Sequence, residues 1–276
     1  MAMSINTNVL SLTTQRNLGS NQSSLSTSMQ RLSSGLRVNT SKDDAAGLAI
    51  ASRMETQVRG MNVAARNASD AISLVQTAEG AIGKVSDMLQ RMRELAVQAA
   101  NATNNTGDRG NLDSEFQQLS AEVTRTIANT RFNGSAILAG DAGTSSYQVG
   151  ANSTDQVAVV TTQLNTATQI TNVTGGGITT VGAASTAMAN IDSALTLVNT
   201  QRAVYGAVQN RFEAMIQVLQ VNSENTSAAK GRIMDSDFAQ ETANLSRSQI
   251  LQQAASAMVA QANSMPQQVL QLLRCS

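Results

Sequence analysis

The chain has 276 residues, 19 basic and 19 acidic side chains, no His, one Cys, one Pro and 2% aromatic residues. Without His there is no Ser-His-Asp or Cys-His nucleophile system, and one Cys without His leaves no Cys/His zinc site. Zero net charge with no basic stripe argues against nucleic acid, because phosphate neutralisation drives that affinity. We therefore expect a protein that is not an enzyme and has no cofactor or metal.

The chain shows no membrane or secretory signal of the usual kind. Residues 1–6 lack the charged region and apolar core of a cleavable signal peptide. Residues 248–273 are uncharged, but their many Gln residues are not compatible with a membrane span. Cys275 on its own forms no intrachain disulfide, and we interpret it as an exposed tail thiol.

The N-terminal half predicts long helices. Apolar residues at steps of four, three and four mark the first one: Leu25, Met29, Leu32 and Leu36. A helix start follows at residues 41–44, with Ser41 as the predicted N-cap and Asp44 as the N3 residue of a capping box. Nothing breaks a helix strongly from there to Asn101, so an element approaching ~90 Å is predicted. Glycines within it, such as Gly60 and Gly80, are candidate bends.

The central part of the chain changes character. Residues 101–110 form a turn cluster, and a further helix is predicted from apolar residues at 112, 116, 119, 123 and 127. Residues 131–134 read as a turn, and alternating apolar residues on either side of residues 150–152 predict a β-hairpin. Residues 161–184, rich in Thr and Gly, are predicted to be a short, loop-like surface insert.

The C-terminal part returns to helical spacing. A helix is predicted through Met188, Phe212 and Leu219, and residues 235–237 offer a cap for the last helix. That last helix carries an apolar seam at alternating steps of four and three, formed by Leu251, Ala255, Met258, Ala262, Met265, Val269 and Leu272. Such a seam is typical of a coiled coil, although an amphipathic helix packed in its own globule has the same spacing. The fold class is therefore mainly α, a coiled coil or bundle of long helices with a small β-hairpin.

Nine motifs give the chain a strong resemblance to bacterial flagellin. They are SINTN at 4–8, RLSSGLR at 31–37, KDDAAG at 42–47, LQRMRELAVQ at 89–98, FNG at 132–134, GAVQNRF at 206–212, DSD at 235–237, SRSQILQQAA at 246–255 and PQQVLQLL at 266–273. They cover both ends of the chain in the order of the family. Cys275 and Ser276 extend beyond the usual ending of the family.

The resemblance implies a domain organisation. Residues 1–41 and 235–276 correspond to the two helices of the inner D0 domain, which form a coiled coil. Residues 42–160 and 186–234 correspond to the D1 helices and hairpin, and residues 161–185 to a short variable insert. The apolar seam residues then become D0 assembly residues: Leu25, Met29, Leu32, Leu36, Leu251, Met258, Met265, Val269 and Leu272.

The resemblance also implies partners. The chain would polymerise helically into the extracellular flagellar filament after unfolded export through the flagellar type III apparatus, with an export chaperone and a filament cap as partners. Arg91, Leu95 and Glu115 match D1 residues recognised by the innate immune receptor TLR5, and ordinary inter-subunit contacts are the alternative role for them. A hook–filament junction protein or minor flagellin, and a helical coiled-coil binding module, remain as alternative functions.

Overall fold

The structure is a computed structural model that describes the backbone of residues 7–274 and the side chains up to residue 265. Long helices dominate it, which confirms the predicted fold class. The elements within the described residues are α1 (Val9–Ser34), α2 (Ala45–Ala99), α3 (Thr106–Asn129), β1 (Arg131–Phe132), β2 (Ser135–Ala136), β3 (Thr144–Gln148), β4 (Gln156–Val160), α4 (Thr168–Thr174), α5 (Val181–Met234) and α6 (Phe238–Arg274).

Helix α2 begins three residues later than the predicted capping box would place it. The Asp43 carboxylate accepts hydrogen bonds from the backbone N–H groups of Asn39 and Thr40, at 3.2 and 2.9 Å. The Thr40 backbone bond, together with the bond from its hydroxyl, lowers the pKa of Asp43. This turn keeps residues 41–43 out of the helix. The capping residue is Asp44, whose Oδ1 accepts from the Gly47 N–H at 2.8 Å, so the prediction of Ser41 as N-cap was wrong.

The predicted long helix is confirmed as one continuous α2, and none of its glycines interrupts it. Its C-terminus is held by the Arg109 guanidinium, whose Nε donates to the Ala99 carbonyl at 2.9 Å. Helix α3 then starts with a capping box between Asn105 and Asp108 that was not predicted. The predicted apolar spacing of α3 is confirmed, with Phe116 among the residues it buries.

Both predicted turns in the central part are present. Asn133 and Gly134 have positive φ values of 49° and 88°, which suits a tight turn between β1 and β2. Strands β3 and β4 form the predicted antiparallel hairpin, with Tyr147 opposite Val157. The ring of Tyr147 packs edge-on against Phe212 of α5, with 6.1 Å between centroids. The hairpin is therefore fixed to the helices that flank it in sequence.

Residues 161–184 are not the loop-like surface insert that their composition predicted. They include helix α4 and bury Leu164, Ile170, Val173 and Ile178 in the hydrophobic core. Helix α3 holds the segment by its polar groups, because the Asp113 carboxylate accepts from the Ile178 N–H at 2.7 Å. Single apolar residues spaced among Thr and Gly supply the core contacts of this segment. The segment contains no run of apolar residues from which these contacts could be predicted.

The chain divides into two compact units. The first comprises the residues up to Thr56 and those from Asn225 onward, and the second comprises Gln57–Glu224. The second unit contains a continuous apolar core in which three aromatic side chains, Phe116, Tyr205 and Phe212, are fully buried among aliphatic ones. In the first unit α1 and α6 pack together, and Asp237 caps α6 as predicted, accepting from the Ala239 N–H at 2.9 Å.

Candidate assembly and recognition surfaces

Helices α1 and α6 form an antiparallel pair held largely by small and polar groups. The Asn8 amide donates to the Ala262 carbonyl at 2.7 Å, and the Ser11 hydroxyl donates to Asn263 Oδ1 at 2.7 Å. Toward the other end of α1, Ser28 faces the start of α6. Up to residue 265, the buried side chains of the two helices are Ser11, Ser28, Glu241, Ser248 and Ala262. These residues bury little apolar area, and the leucines of the pair, such as Leu25, Leu32 and Leu245, are only partly buried. Apolar surface therefore remains outside the contact.

The predicted seam on α6 coincides only in part with the face that contacts α1, because Ala262 belongs to both. Glu241, Ser248 and Ala262 are buried, whereas Leu251 and Met258 of the predicted seam are 44% and 54% exposed. At 100° per residue, the contact face is centred about 60° around the helix from the predicted seam. Its small residues allow the helices to approach closely, so the larger side chains lie beside the contact and not in it.

The remaining seam residues divide in the same way. Leu25, Leu32 and Leu36 are partly buried, whereas Met29 is 57% exposed and Met265 is also exposed. Val269 and Leu272 lie outside the residues whose side chains the structure describes, as does Pro266. Further large apolar side chains of the two helices are exposed, namely Val9, Leu10, Leu12, Phe238 and Ile250. Apolar exposure on this scale is typical of surfaces that bind other proteins.

Arg91 and Glu115, two of the residues matched to receptor contacts, form an exposed ion pair between α2 and α3. The Arg91 Nε donates to Glu115 Oε1 at 2.9 Å, and its Nη1 donates to Glu94 Oε2 at 2.9 Å. The carboxylates of Glu94 and then Glu115 raise the pKa of Arg91 above its usual value. About half of each side chain of the Arg91–Glu115 pair is exposed. The pair therefore presents a fixed arrangement of charges to any partner.

Leu95, the third matched residue, lies elsewhere. It is 1% exposed and belongs to the hydrophobic core of the second unit. The structure thus corrects its expected role as a surface contact, because no partner reaches it while this unit is folded. Leu95 follows Arg91 by four positions on α2, and its side chain supports the helix that carries Arg91.

A neighbouring ion pair was missed by sequence reasoning. Arg93 Nε donates to Asp192 Oδ1 of α5 at 2.7 Å, which lowers the pKa of Asp192 and raises that of Arg93. The partners are 99 positions apart in sequence, so no local pattern signals them. Arg93 also lines a shallow surface depression with Gln90, Glu94 and Val97. Charged and apolar groups therefore alternate along this exposed side of α2.

Within residues 7–274, no group of three or more metal-ligating side chains comes together. None of the helices in the same part of the chain combines the length and apolarity needed to cross a bilayer.

Comparison with known proteins identifies the family. Residues 5–142 match the family model of the bacterial flagellin N-terminal helical region, and residues 188–273 match that of the C-terminal helical region. Flagellin of Halalkalibacterium halodurans is 46% identical over 99% of this chain and 100% of its own length. Flagellin of Bacillus subtilis is 40% identical over the same shares.

A solved structure agrees with these matches. The crystal structure of Bacillus cereus flagellin is 32% identical, with a TM-score of 0.51, and the match covers 60% of this chain and 94% of that one. The full-length matches to flagellins favour a filament subunit over a junction protein or a coiled-coil binding module. The chain belongs to the bacterial flagellin family and is a structural subunit that self-associates into the extracellular flagellar filament.

Proposed function

We propose that copies of this chain assemble through the large apolar residues that α1 and α6 leave exposed. The observation that carries the proposal is that small polar side chains are buried in this helix pair while large apolar ones are exposed. Ser28 and Ser248 are buried between the helices, while Met29, Leu251 and Met258 are exposed to solvent. Covering such side chains is favourable by about 25 cal/mol for each Å² of apolar surface removed from water.

This arrangement suits open-ended assembly. Contacts between unlike surfaces of successive copies generate a filament when the rotation between copies does not close a ring. Exposed apolar residues on both helices offer such unlike surfaces within one subunit. Interface energy would then stabilise a helix pair whose large apolar side chains are at most partly buried.

Polar replacements of the same shape test the proposal. Leu251→Gln combined with Met258→Gln is expected to raise the critical concentration for polymerisation at least about tenfold, since two buried side chains contribute more than about 1.4 kcal/mol. Ala260→Ser, at an exposed position on the other side of α6, serves as the control and is expected to polymerise normally. Far-UV circular dichroism of the monomer verifies that α6 remains helical. An unchanged critical concentration for the double variant would contradict the proposal.

We also propose that the Arg91–Glu115 ion pair is a contact for TLR5 on the monomer. Its exposure, its fixed geometry and the match of residues 89–98 to the flagellin motif support this role. Leu95 contributes from the core, as a residue that holds α2 in position. The same charges serve contacts between copies in the alternative interpretation, and the two roles are separated by an assay on monomeric protein.

We further propose unfolded export through the flagellar type III apparatus, with an export chaperone and a filament cap as additional partners. Membership of the family supports these partners. A stably folded domain fused to the chain is expected to stop its appearance in the medium, because the fusion cannot unfold. The matched fusion carries a variant of that domain that does not fold, and it is expected to be exported. Equal export of the two fusions would refute the proposal.

A further inference from the structure

A polar groove lies between α1 and α6, within the first unit. It encloses about 420 Å³ and is lined by hydroxyl, amide and charged side chains, among them Ser24, Thr27, Ser28, Arg31, Glu241 and Asn244. The groove is unusual for a contact between two helices, where apolar side chains ordinarily exclude water. Its polar lining indicates that it is adapted to a polar occupant.

Two polar groups of this groove lack hydrogen-bond partners among the described residues. The Nε of Arg31 is inaccessible to solvent and makes no hydrogen bond among the described residues. Glu241 is 6% exposed, and the described part of the chain provides no hydrogen bond or ion pair to its carboxylate. Burying a polar or charged group without a partner is costly, so each of these groups favours the arrival of a complementary one.

We propose that this groove receives a side-chain carboxamide from α1 or α6 of a second copy, and the inference rests on the proposed assembly through these helices. A carboxamide has an oxygen that accepts from Arg31 Nε and an NH₂ that donates to the Glu241 carboxylate. A simple anion would satisfy Arg31 and Arg247, which also lines the groove, but would be repelled by Glu241. A simple cation would do the reverse.

The second copy supplies the required group in abundance. Exposed carboxamides are frequent on the two helices, including Gln22 and Gln30 of α1 and Gln249, Gln253 and Gln261 of α6. Acidic side chains are rare there, since Glu241 is the only one within α1 and the described part of α6. The exposed carboxamides on α1 and α6 of a neighbouring copy therefore match the hydrogen-bonding groups of the groove.

Replacement of both groups provides the first test. Arg31→Met combined with Glu241→Met removes both unpartnered groups from the groove, and the critical concentration for polymerisation is expected to rise at least tenfold because an inserted carboxamide loses both partners. Arg16→Met removes one charge from an exposed position of α1 outside the groove and is the control. An unchanged critical concentration for the double variant overturns the proposal.

Photo-crosslinking provides the second test and identifies the neighbour. A benzophenone amino acid replaces Ser24 at the exposed rim of the groove, and filaments are grown from mixed ¹⁴N- and ¹⁵N-labelled chains. Mixed-isotope crosslinks to residues 9–34 or 238–265 support the proposal. Crosslinks confined to one chain overturn the proposal and leave water as the occupant of the groove. Intermolecular crosslinks to residues 57–224 only also overturn it.

The two proposals fail in distinguishable ways. If assembly through the exposed apolar residues is wrong, the Leu251→Gln and Met258→Gln variant polymerises normally. If only the groove is wrong, that variant is impaired while the Arg31→Met and Glu241→Met variant polymerises like the wild type.

Discussion

Arg91 of α2 donates from Nε to Oε1 of Glu115 on α3 across 2.9 Å, and so links two helices at the surface of the second unit. A second donor of the same guanidinium reaches Glu94 on α2. Exposed ion pairs of this kind contribute little to stability because solvent screens them. Their value to the protein lies in a charge arrangement that is held in place before a partner arrives.

Arg91→Ala is therefore expected to reduce TLR5 signalling by monomeric protein by at least tenfold while leaving stability nearly unchanged. The reason is that the variant removes both hydrogen bonds of an exposed pair and no core contact. A dose–response assay with monomer measures the potency. Lys84→Ala, at another exposed position of α2 paired only with Asp87, is the control. Equal potency of the Arg91 variant and wild type would refute the receptor contact.

Leu95→Ala is expected to behave differently. Truncating this fully buried side chain leaves a cavity in the core and lowers the free energy of unfolding of the second unit by about 2–5 kcal/mol. Urea denaturation followed by circular dichroism measures the loss. Any fall in signalling should then follow the fraction of unfolded protein. A variant that is fully stable and yet inactive would show that Leu95 makes a direct contact.

Leu95 also shows which property could not be predicted from the sequence, namely the burial of its side chain. A match to a family motif assigns a residue to a position, but the burial of that position depends on helices that are distant in sequence. The same limit applies to α6, where a regular four-three spacing predicted a seam and the actual contact face uses Ser248 and Glu241. The spacing defines a stripe, whereas the partner helix selects the side on which close approach is possible.

Other predictions succeeded because their signals are local. The caps, turns and hairpin depend on residues within a few positions of one another, as with Asp237 before α6. Helix α2 was predicted from the absence of strong breakers. Residues 161–184 were misjudged because their burial depends on α3, which binds the segment through Asp113. Isolated apolar residues between Thr and Gly carry no periodic pattern.

Two glycines of α2 are expected to respond in opposite ways to alanine. A Cβ at Gly80 meets open space, so Gly80→Ala should raise the free energy of unfolding by about 1 kcal/mol through helix propensity. A Cβ at Gly60 would lie 3.0 Å from the Cβ of Ala151 and 3.2 Å from its Cα. Gly60→Ala should therefore be less stable than Gly80→Ala by about 1 kcal/mol or more. Thermal unfolding of the monomer measures both variants.

Ala151→Gly provides the control for this pair. When it is combined with Gly60→Ala, the closest contact is removed and part of the lost stability should return. The structure indicates close contact between the hairpin loop and α2 at Gly60. If Gly60→Ala alone is as stabilising as Gly80→Ala, that close contact does not exist.

The capping assignment at the start of α2 gives a third matched pair. Asp44→Ala removes the acceptor of the Gly47 N–H and should destabilise the first turn of α2 by about 1 kcal/mol. Ser41→Ala should have almost no effect, because Ser41 lies in the preceding turn and its side chain is exposed. Hydrogen exchange of the Gly47 and Leu48 amides reports the difference. Faster exchange in the Ser41 variant and not in the Asp44 variant would restore the sequence-based assignment.

Tyr205 is expected to make the second unit sensitive to alkaline pH. Burial raises the pKa of Tyr205 above its usual value near 10, and its hydroxyl lies near the backbone of Thr162 without a well-formed hydrogen bond in the described part of the chain. Because the unfolded state loses this proton first, the contribution to stability is complete below about pH 10 and is lost as the pH rises through the folded pKa.

Tyr205→Phe should therefore weaken the loss of stability above pH 10 and change stability at pH 7 by no more than about 1 kcal/mol. Urea denaturation at a series of pH values measures both effects. Tyr147→Phe, which alters a less buried phenol, should have a smaller effect on the loss of stability above pH 10. If wild type and the Tyr205 variant lose the same stability above pH 10, ionisation of the Tyr205 phenol does not cause that loss.

The hydrogen bond from Asn8 to Ala262 joins positions that are 254 residues apart in the chain. During synthesis, α1 is consequently complete long before any residue of α6 exists, and it stays without its partner until α6 has been made. The second unit is made of the continuous segment Gln57–Glu224, so its contacts are available much earlier. Closing the longest loops last is the order that chain entropy favours. Loss of either α1 or α6 would thus remove the final folding step while leaving the earlier one intact.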